Sequence, residues 1–446
     1  MLFSVILWIS YAPQEAIHEI TRNKKTLKVI QVLTQSLKPV VSPQMSLPKD
    51  QILKFRDEIN AEWRNNIAPF WLRYGPDEKY GGFRGWITND LQVNEQAEKG
   101  IILNSRILWT FSRAFRTERK QEFRHIAERA FSYLTDKFID QTNGGVFWTL
   151  DCRGQPLETK KRPYAQAFAI YGLTEFFLAT GVQRALEEAM VIFELLENRA
   201  RDNEHDGYYE TFERDWSLAT DQRLSEVDED EKKSMNTHLH VLEAYAALLS
   251  ASNDDAVNER LRSLINLFLT KIIQPDRYNL QMFFDEAWNG KSEHNSYGHD
   301  IEASWLLCEA SQILGDEELL TKVNDTSVKM SRSVLEHGLD EDGSLFYEAD
   351  QRQIISDEKH WWAQTEAIVG FVNAYELTSE EKFLWAAIRV WEFIKQHLID
   401  KDNGEWFWRA SREGMPDLKM PKLSQWKGPY HNGRMCFEIT RRLANI

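Results

Sequence analysis

The segment Asn143-Gly-Gly-Val-Phe-Trp148 joins a turn-forming start to a run of aromatic residues, and it has five counterparts along the chain. These read Tyr80-Gly-Gly-Phe83, His205-Asp-Gly-Tyr-Tyr209, Leu280-Gln-Met-Phe-Phe284, Glu341-Asp-Gly-Ser-Leu-Phe346 and Asn403-Gly-Glu-Trp-Phe-Trp408. Glycine reaches positive-φ turn positions and aromatic side chains favour extended backbone, so each copy suits a short β-hairpin. Aligned on Gly81, Gly144, Gly207, Gln281, Gly343 and Gly404, the copies repeat every ~60–75 residues. The fourth lacks the glycine and is the weakest. A single period running through the chain implies one closed repeat structure.

Between consecutive hairpins, apolar residues recur at three- and four-residue spacing, the mark of helices. The pattern predicts twelve of them, at 50–73, 98–116, 118–139, 163–180, 183–201, 236–251, 255–274, 299–314, 316–337, 360–378, 380–399 and 430–444. Links such as Thr180-Gly-Val and Leu377-Thr-Ser are too short for anything but antiparallel neighbours. Six helical hairpins closing on themselves give an all-α (α/α)6 barrel with short β-hairpins on one rim; an open solenoid normally has more units or distinct capping repeats. Val241 to Leu249 and Ile301 to Leu307 are apolar nearly all round, as inner helices must be, whereas Arg184 to Arg199 carries a charged outer face.

Composition narrows the class. Hydrophobic residues at 42% support a sizeable core, and the net charge of −15 without a basic block argues against nucleic acid or an anionic membrane surface as partner. Cys152, Cys308 and Cys436 have neither metal-ligand spacing nor a disulfide framework, which points to a reducing cytoplasm. A monomer is expected. The stretch Leu2 to Ile9 is apolar but too short to span a bilayer, and a Pro/Ser-containing run from Lys38 to Pro48 separates it from the first repeat. Residues 1–47 are therefore read as an N-terminal extension, disordered or from an over-extended start with Met45 as the alternative, and 48–446 as one catalytic domain.

In such a barrel all inner-helix N-termini share one rim, and here they are rich in polar and aromatic groups. Arg106, Tyr164, Asn236 with His240, His299 with Glu302, Trp362 and His431 come from six different repeats. Each alone has a plainer reading: a histidine at a helix start is more often a cap or core residue, and Asn236 suits an N-cap. Three histidines facing one cavity from three helices favour a shared site. His238 and His240 are two apart and point in different directions on a helix, and no His-Glu-x-x-His or cysteine cluster is present. A three-histidine metal site assembled from distant repeats is the one metal arrangement left open; the expectation is no metal. No Walker A loop or Gly-x-Gly-x-x-Gly element indicates a nucleotide cofactor.

What remains is acid–base work on a polar ligand. Histidines serve as base and acid near neutral pH, and Arg106, always charged, can stabilise an oxyanion. Trp305, Trp362 and Trp426 offer flat faces that match pyranose rings. Asp300, Glu302 and Glu366 are the candidate carboxyls for a glycosidase, but histidines outnumber them in the best motifs, which favours proton transfer at carbon.

Four segments carry a family resemblance: Asn236 to Tyr245, Ser296 to Trp305, Trp361 to Ala367 and Trp426 to Asn432. With Gly81-Gly-Phe and the Lys99-to-Trp109 segment, they resemble the N-acylglucosamine 2-epimerase superfamily over about residues 48–446. The resemblance implies an (α/α)6 barrel and cofactor-free C2 epimerisation of the reducing-end sugar of a β-1,4-linked disaccharide. By that resemblance His299 and His431 are the acid/base pair, His240 assists ring opening, and Arg106 stabilises the enediolate. Tyr164, Asn236, Glu302, Trp305, Trp362, Glu366 and Trp426 bind substrate. A monosaccharide epimerase or mannose-type aldose–ketose isomerase, an (α/α)6 glycoside hydrolase and a non-catalytic sugar-binding barrel are the alternatives.

Overall fold

The computed structural model describes residues 47–445 apart from 226, 227 and 352. The N-terminal extension, up to residue 46, lies outside the described residues, and Pro48–Ile446 is one compact unit. All twelve expected helices are present, and their ends lie within three residues of expectation once the π-helical turns Leu134–Phe138, Leu196–Ala200, Phe268–Ile272 and Ile394–Leu398, which extend four of the outer helices, are counted. Helix α1 runs through Lys49–Glu62, a π-helical turn at Trp63–Ile67, and Ala68–Tyr74. Then follow α2 (Ile101–Glu118), α3 (Gln121–Tyr133), α4 (Pro163–Thr180), α5 (Gln183–Leu195), α6 (Met235–Ser252) and α7 (Asp255–Leu267). The remaining five are α8 (Tyr297–Leu314), α9 (Glu317–His337), α10 (Trp361–Thr378), α11 (Glu381–Phe393) and α12 (Tyr430–Arg442).

The even-numbered helices form the inner ring. Each packs against the next, and α12 packs against α2, so the ring closes. The first five inner helices are each 18 residues long and end on a left-handed residue: Arg119, Gly181, Asn253, Gly315 and Ser379. That conformation stops the helix and turns the chain back after two or three residues, which is how the short links produce antiparallel pairs.

The rim hairpins are closed by single antiparallel bridges: Pro76↔Phe83, Ile139↔Val146, Arg201↔Tyr208, Ile273↔Leu280, Leu339↔Leu345 and Ile399↔Trp406. Two copies turn elsewhere than the glycine alignment implies. In the third the turn residue equivalent to Gly144 is Asp206 (φ 63°), one before Gly207; in the fourth it is Tyr278 (φ 56°), three before Gln281. The aromatic pattern alone hid this shift, because a non-glycine residue occupies the left-handed position in both.

Six further pairings stitch the rim. The residues leading into each inner helix pair with those after the next hairpin: Lys99↔Leu150, Lys161↔Phe212, Lys233↔Phe284, Ser296↔Glu348, Lys359↔Ala410 and, completing the circle, Leu423↔Ile87. Beneath them lie buried ion pairs, each a lysine before an inner helix and an aspartate of the preceding hairpin: Lys99–Asp77, Lys161–Asp140, Lys233–Asp202, Lys359–Asp340 and Lys422–Asp400. The fourth repeat has Asn295 and Gln274 at these places, and Asn295 instead donates to Asp300 at 2.9 Å. These pairs fix each hairpin against its helix and so fix the rim from which the site is built.

Candidate active site

Helical spacing sorts the inner-helix residues into layers down the barrel axis. The sixth residues of α2, α4, α6, α8 and α10 are Arg106, Phe168, His240, Glu302 and Glu366, and Arg434 of α12 completes the set. Neighbours in this layer touch: Arg106 lies 4.5 Å over the Phe168 ring, and Phe168 and His240 have ring centroids 4.7 Å apart. Arg434 donates to Glu302 at 2.5 Å and to Glu366 at 2.8 Å. One turn above, toward the rim, stand Tyr164, Asn236, His299, Trp362 and His431; one turn below stand Trp109, Tyr171, Glu243 and Trp305.

A cavity of about 750 Å³ opens above this layer. Its wall includes nine of the eleven expected site residues: Arg106, Tyr164, Asn236, His240, His299, Glu302, Trp362, Trp426 and His431. Arg106 donates to the Trp426 carbonyl at 3.1 Å and to the Tyr164 hydroxyl at 3.2 Å, holding a guanidinium against the wall. The plainer reading of Asn236 fails, because Ser234 is the residue that caps α6, by accepting from Thr237 N–H. The Asn236 Oδ1 has no hydrogen-bond partner. His299 stands beside its own cap, Ser296, with Nδ1 3.0 Å from the hydroxyl. Trp362 lies between two of the histidines, its ring 4.6 Å from His299 and 5.8 Å from His431.

Two expected binding residues sit elsewhere. Trp305, expected to stack on a sugar, is 1% exposed beneath the cavity, where its indole N–H donates to Glu366 at 3.1 Å. It is the ninth residue of α8, one turn too deep to reach the mouth. Glu366 lies behind His431, its Oε1 2.7 Å from Nδ1. Of the candidate glycosidase carboxyls, Asp300 faces away from the cavity and accepts from Leu280 N–H at 2.7 Å. His238 is likewise a core residue, accepting from Tyr208 N–H at 2.9 Å.

The residues that the motifs did not single out are Arg434, Glu243, Tyr430 and Glu210. His240 Nδ1 meets Glu243 at 3.0 Å, and Arg434 and the Tyr430 hydroxyl both bond the other Glu243 oxygen. Glu210, on the cavity wall, accepts from Ser234 N–H at 2.7 Å and from the Thr237 hydroxyl at 2.6 Å. Arg434 is the fifth residue of α12, where the corresponding layer residues of the other inner helices are the sixth, so counting from the helix start does not mark it.

Burial governs the protonation states. It pushes the His299 imidazole down to about 3, with His240 adding to the effect, and it holds His431 well below the ordinary histidine value, with Arg106 and Arg434 adding to the effect. Burial and the neighbouring Glu366 raise Glu302 to about 7, against the pull of Arg434. Burial also raises Glu366 and takes Glu210 to about 8. For Glu243 burial works against ionisation, but Arg434 and His240 outweigh it and hold the carboxyl low. Both His299 and His431 are therefore neutral imidazoles, the form able to accept a proton.

Glu302, Glu366 and His431 bring metal-ligand atoms within 4.8 Å of one another, the one such group among the described residues. His240 and His299 are not part of it, so the three-histidine arrangement does not form. Arg434 already bonds both carboxylates, so this place is taken by a cation of the protein's own. The described residues include no helix long and apolar enough to cross a membrane.

The chain is similar to known proteins over most of its length. A cellobiose 2-epimerase of Bacteroides fragilis is 44% identical over 391 residues, covering 87% of this chain and 99% of the relative. One from Dictyoglomus turgidum is 39% identical over 389 residues, covering 87% and 98%. The solved structure of cellobiose 2-epimerase from Bacillus thermoamylovorans superimposes with a TM-score of 0.84 at 38% identity, covering 87% of this chain and all of that one. The N-acylglucosamine 2-epimerase family model matches residues 81–431, a span holding every expected site residue, and the chain belongs to that family.

Proposed function

We propose that this protein inverts C2 of the reducing-end glucose of β-1,4-linked disaccharides, turning cellobiose into glucosyl-mannose and lactose into epilactose. The observation that carries the reading is the pair His299 and His431 flanking Trp362 on one cavity wall, with Arg106 close by. Hydrolysis is disfavoured: Asp300 faces away from the cavity, Glu366 lies behind a histidine, and Glu302 is tied to Arg434.

The chemistry follows from the residues. His240 takes the O1 hydroxyl proton and passes it to O5 as the C1–O5 bond breaks, giving the open aldehyde and returning the imidazole to its neutral form. One of His299 and His431 then removes the C2 proton, and the C–H electron pair becomes the C1=C2 bond of a cis-enediolate. Arg106 stabilises the negative charge left on O1. After rotation about C2–C3, the other histidine takes a proton from solvent on Nε2 and delivers it to the opposite face of C2, while the first releases the C2 proton to solvent, so that both rings end neutral. Because His431 Nδ1 and His240 Nδ1 point at carboxylates, Nε2 of each ring is the atom left to act on the sugar. Tyr164, Asn236, Glu302, Trp362 and Trp426 supply the binding surface, and neither cofactor nor metal enters any step.

In this reading 48–446 is the catalytic domain, 1–47 is an extension outside it, and the protein acts as a cytoplasmic monomer. Three free buried cysteines support a reducing compartment. Incubation with cellobiose in heavy water, followed by NMR, tests the activity: glucosyl-mannose carrying deuterium at C2 is the expected product. Free glucose from cellobiose, or fructose from mannose as the main reaction, overturns it. His299→Asn and His431→Asn should each abolish C2 hydrogen exchange, and normal turnover in both would sink the two-histidine mechanism.

A further inference from the structure

Arg434 does not line the cavity, yet every group it touches leads to one that does. Its guanidinium bonds carboxylates from three helices, Glu243 of α6, Glu302 of α8 and Glu366 of α10. The Trp305 and Tyr430 rings pack on it at 4.7 and 4.4 Å and restrict its movement. We propose that Arg434 is the positioning residue of this site, keeping Glu366 and Glu243 as acceptors so that His431 and His240 both carry their proton on Nδ1 and present Nε2 as the base. The inference rests on the epimerisation reading and deepens it.

The hydrogen bonds of Glu366 make the case. Oε2 accepts from Trp305, while Oε1 takes Arg434 and His431 Nδ1. Two of these partners can only donate. The Arg434 guanidinium favours the carboxylate form against burial, and to a carboxylate the third partner, His431 Nδ1, must donate as well. Without the arginine, burial favours a protonated Glu366, whose O–H donates a hydrogen bond to Nδ1 and leaves the ring's single proton on Nε2, facing the sugar. That tautomer cannot accept the C2 proton. The groups facing Glu366 are His431 and Arg434 from α12, Glu302 and Trp305 from α8, and Glu243 from α6. Arg434 is the sole permanent cation among them. Lysine could not replace it, since a point charge cannot address three carboxylates through a planar fork.

The test is Arg434→Met with cellobiose as substrate. At neutral pH kcat should fall about 10²- to 10³-fold while KM stays within about threefold, because the loss lies in the base and not in sugar binding. The variant should gain an alkaline limb in its pH–rate profile, as Glu366 ionises and the working tautomer returns. Nitrogen NMR of labelled histidine in the sugar-free protein should show His240 and His431 leaving the Nδ1–H form. A folded Arg434→Met protein with wild-type kcat, pH profile and histidine nitrogens overturns the proposal. If that variant does not fold, Arg434→Lys decides: a lowered kcat with the alkaline limb supports the inference, and wild-type behaviour ends it. Should wild-type protein fail to epimerise cellobiose, the functional reading falls, and the histidine tautomers still test Arg434 by themselves.

Discussion

Trp305 shows how far a motif read residue by residue can mislead. In sequence it sits in the same run as His299 and Glu302, yet the helix carries it below the cavity, against Arg434 and Glu366. Its effect on catalysis must therefore pass through Glu366. Trp305→Phe keeps a ring against Arg434 and removes one hydrogen bond to a charged group, an interaction of about 1.5–3 kcal/mol. The expected result is a kcat roughly 10- to 100-fold lower with KM little changed. Trp362→Ala, which strips the cavity wall, should instead raise KM strongly. Steady-state kinetics on both variants distinguishes the roles; a raised KM alone in Trp305→Phe would return that residue to the sugar.

The elements were legible because each has its own local signal. Amphipathic spacing marks the outer helices, uniform apolarity the inner ones, and glycine–aromatic clusters the hairpins. The buried lysine–aspartate pairs beneath the hairpins left no such signal, since a lysine next to a helix reads as a surface residue until its partner is seen. Lys233 shows what they contribute: fully buried, it donates to Asp202 at 2.7 Å and to the carbonyls of Asp206 and Glu286 at 2.7 and 2.8 Å. Lys233→Met leaves Asp202 buried without its cation, at a cost of about 3–5 kcal/mol. Denaturant unfolding should register that loss; a variant as stable as wild type would mean that water or a shifted side chain replaces the lysine.

Across the whole molecule, buried acids and buried histidines set the pH dependence of stability. Burial raises Asp300 to about 7 and Glu175 and Glu210 to about 8, so the fold retains protons that the unfolded chain loses. Their stabilisation is complete below the unfolded carboxyl value and disappears as pH rises through 7 to 8. His238 and His299, held down to about 4 and 3, act in the opposite sense: their share is present above the unfolded histidine value and is lost on acidification. Arg412 and Lys359 overcome burial to hold Asp340 near 2, so its share too is lost at low pH. Between about pH 7.5 and 8.5 these histidines are neutral in the folded and the unfolded chain alike, the raised carboxyls dominate, and the melting temperature should decline over that range. Thermal scans at stepped pH check this; a melting temperature rising over those steps would contradict it.

The sequence by itself determined the repeat, the twelve helices, the closed barrel and the residues crowding one rim. All of these follow from local periodicity and from spacing that any helix must obey. It also carried the motifs on which the family is recognised. Tertiary structure alone decided depth and partnership: that Trp305 and Glu366 stand behind the cavity, that the third and fourth hairpins turn at Asp206 and Tyr278, and that Arg434 joins three carboxylates. These depend on which helices meet across the axis, and residues from Glu243 to Arg434 are brought together only when the ring closes.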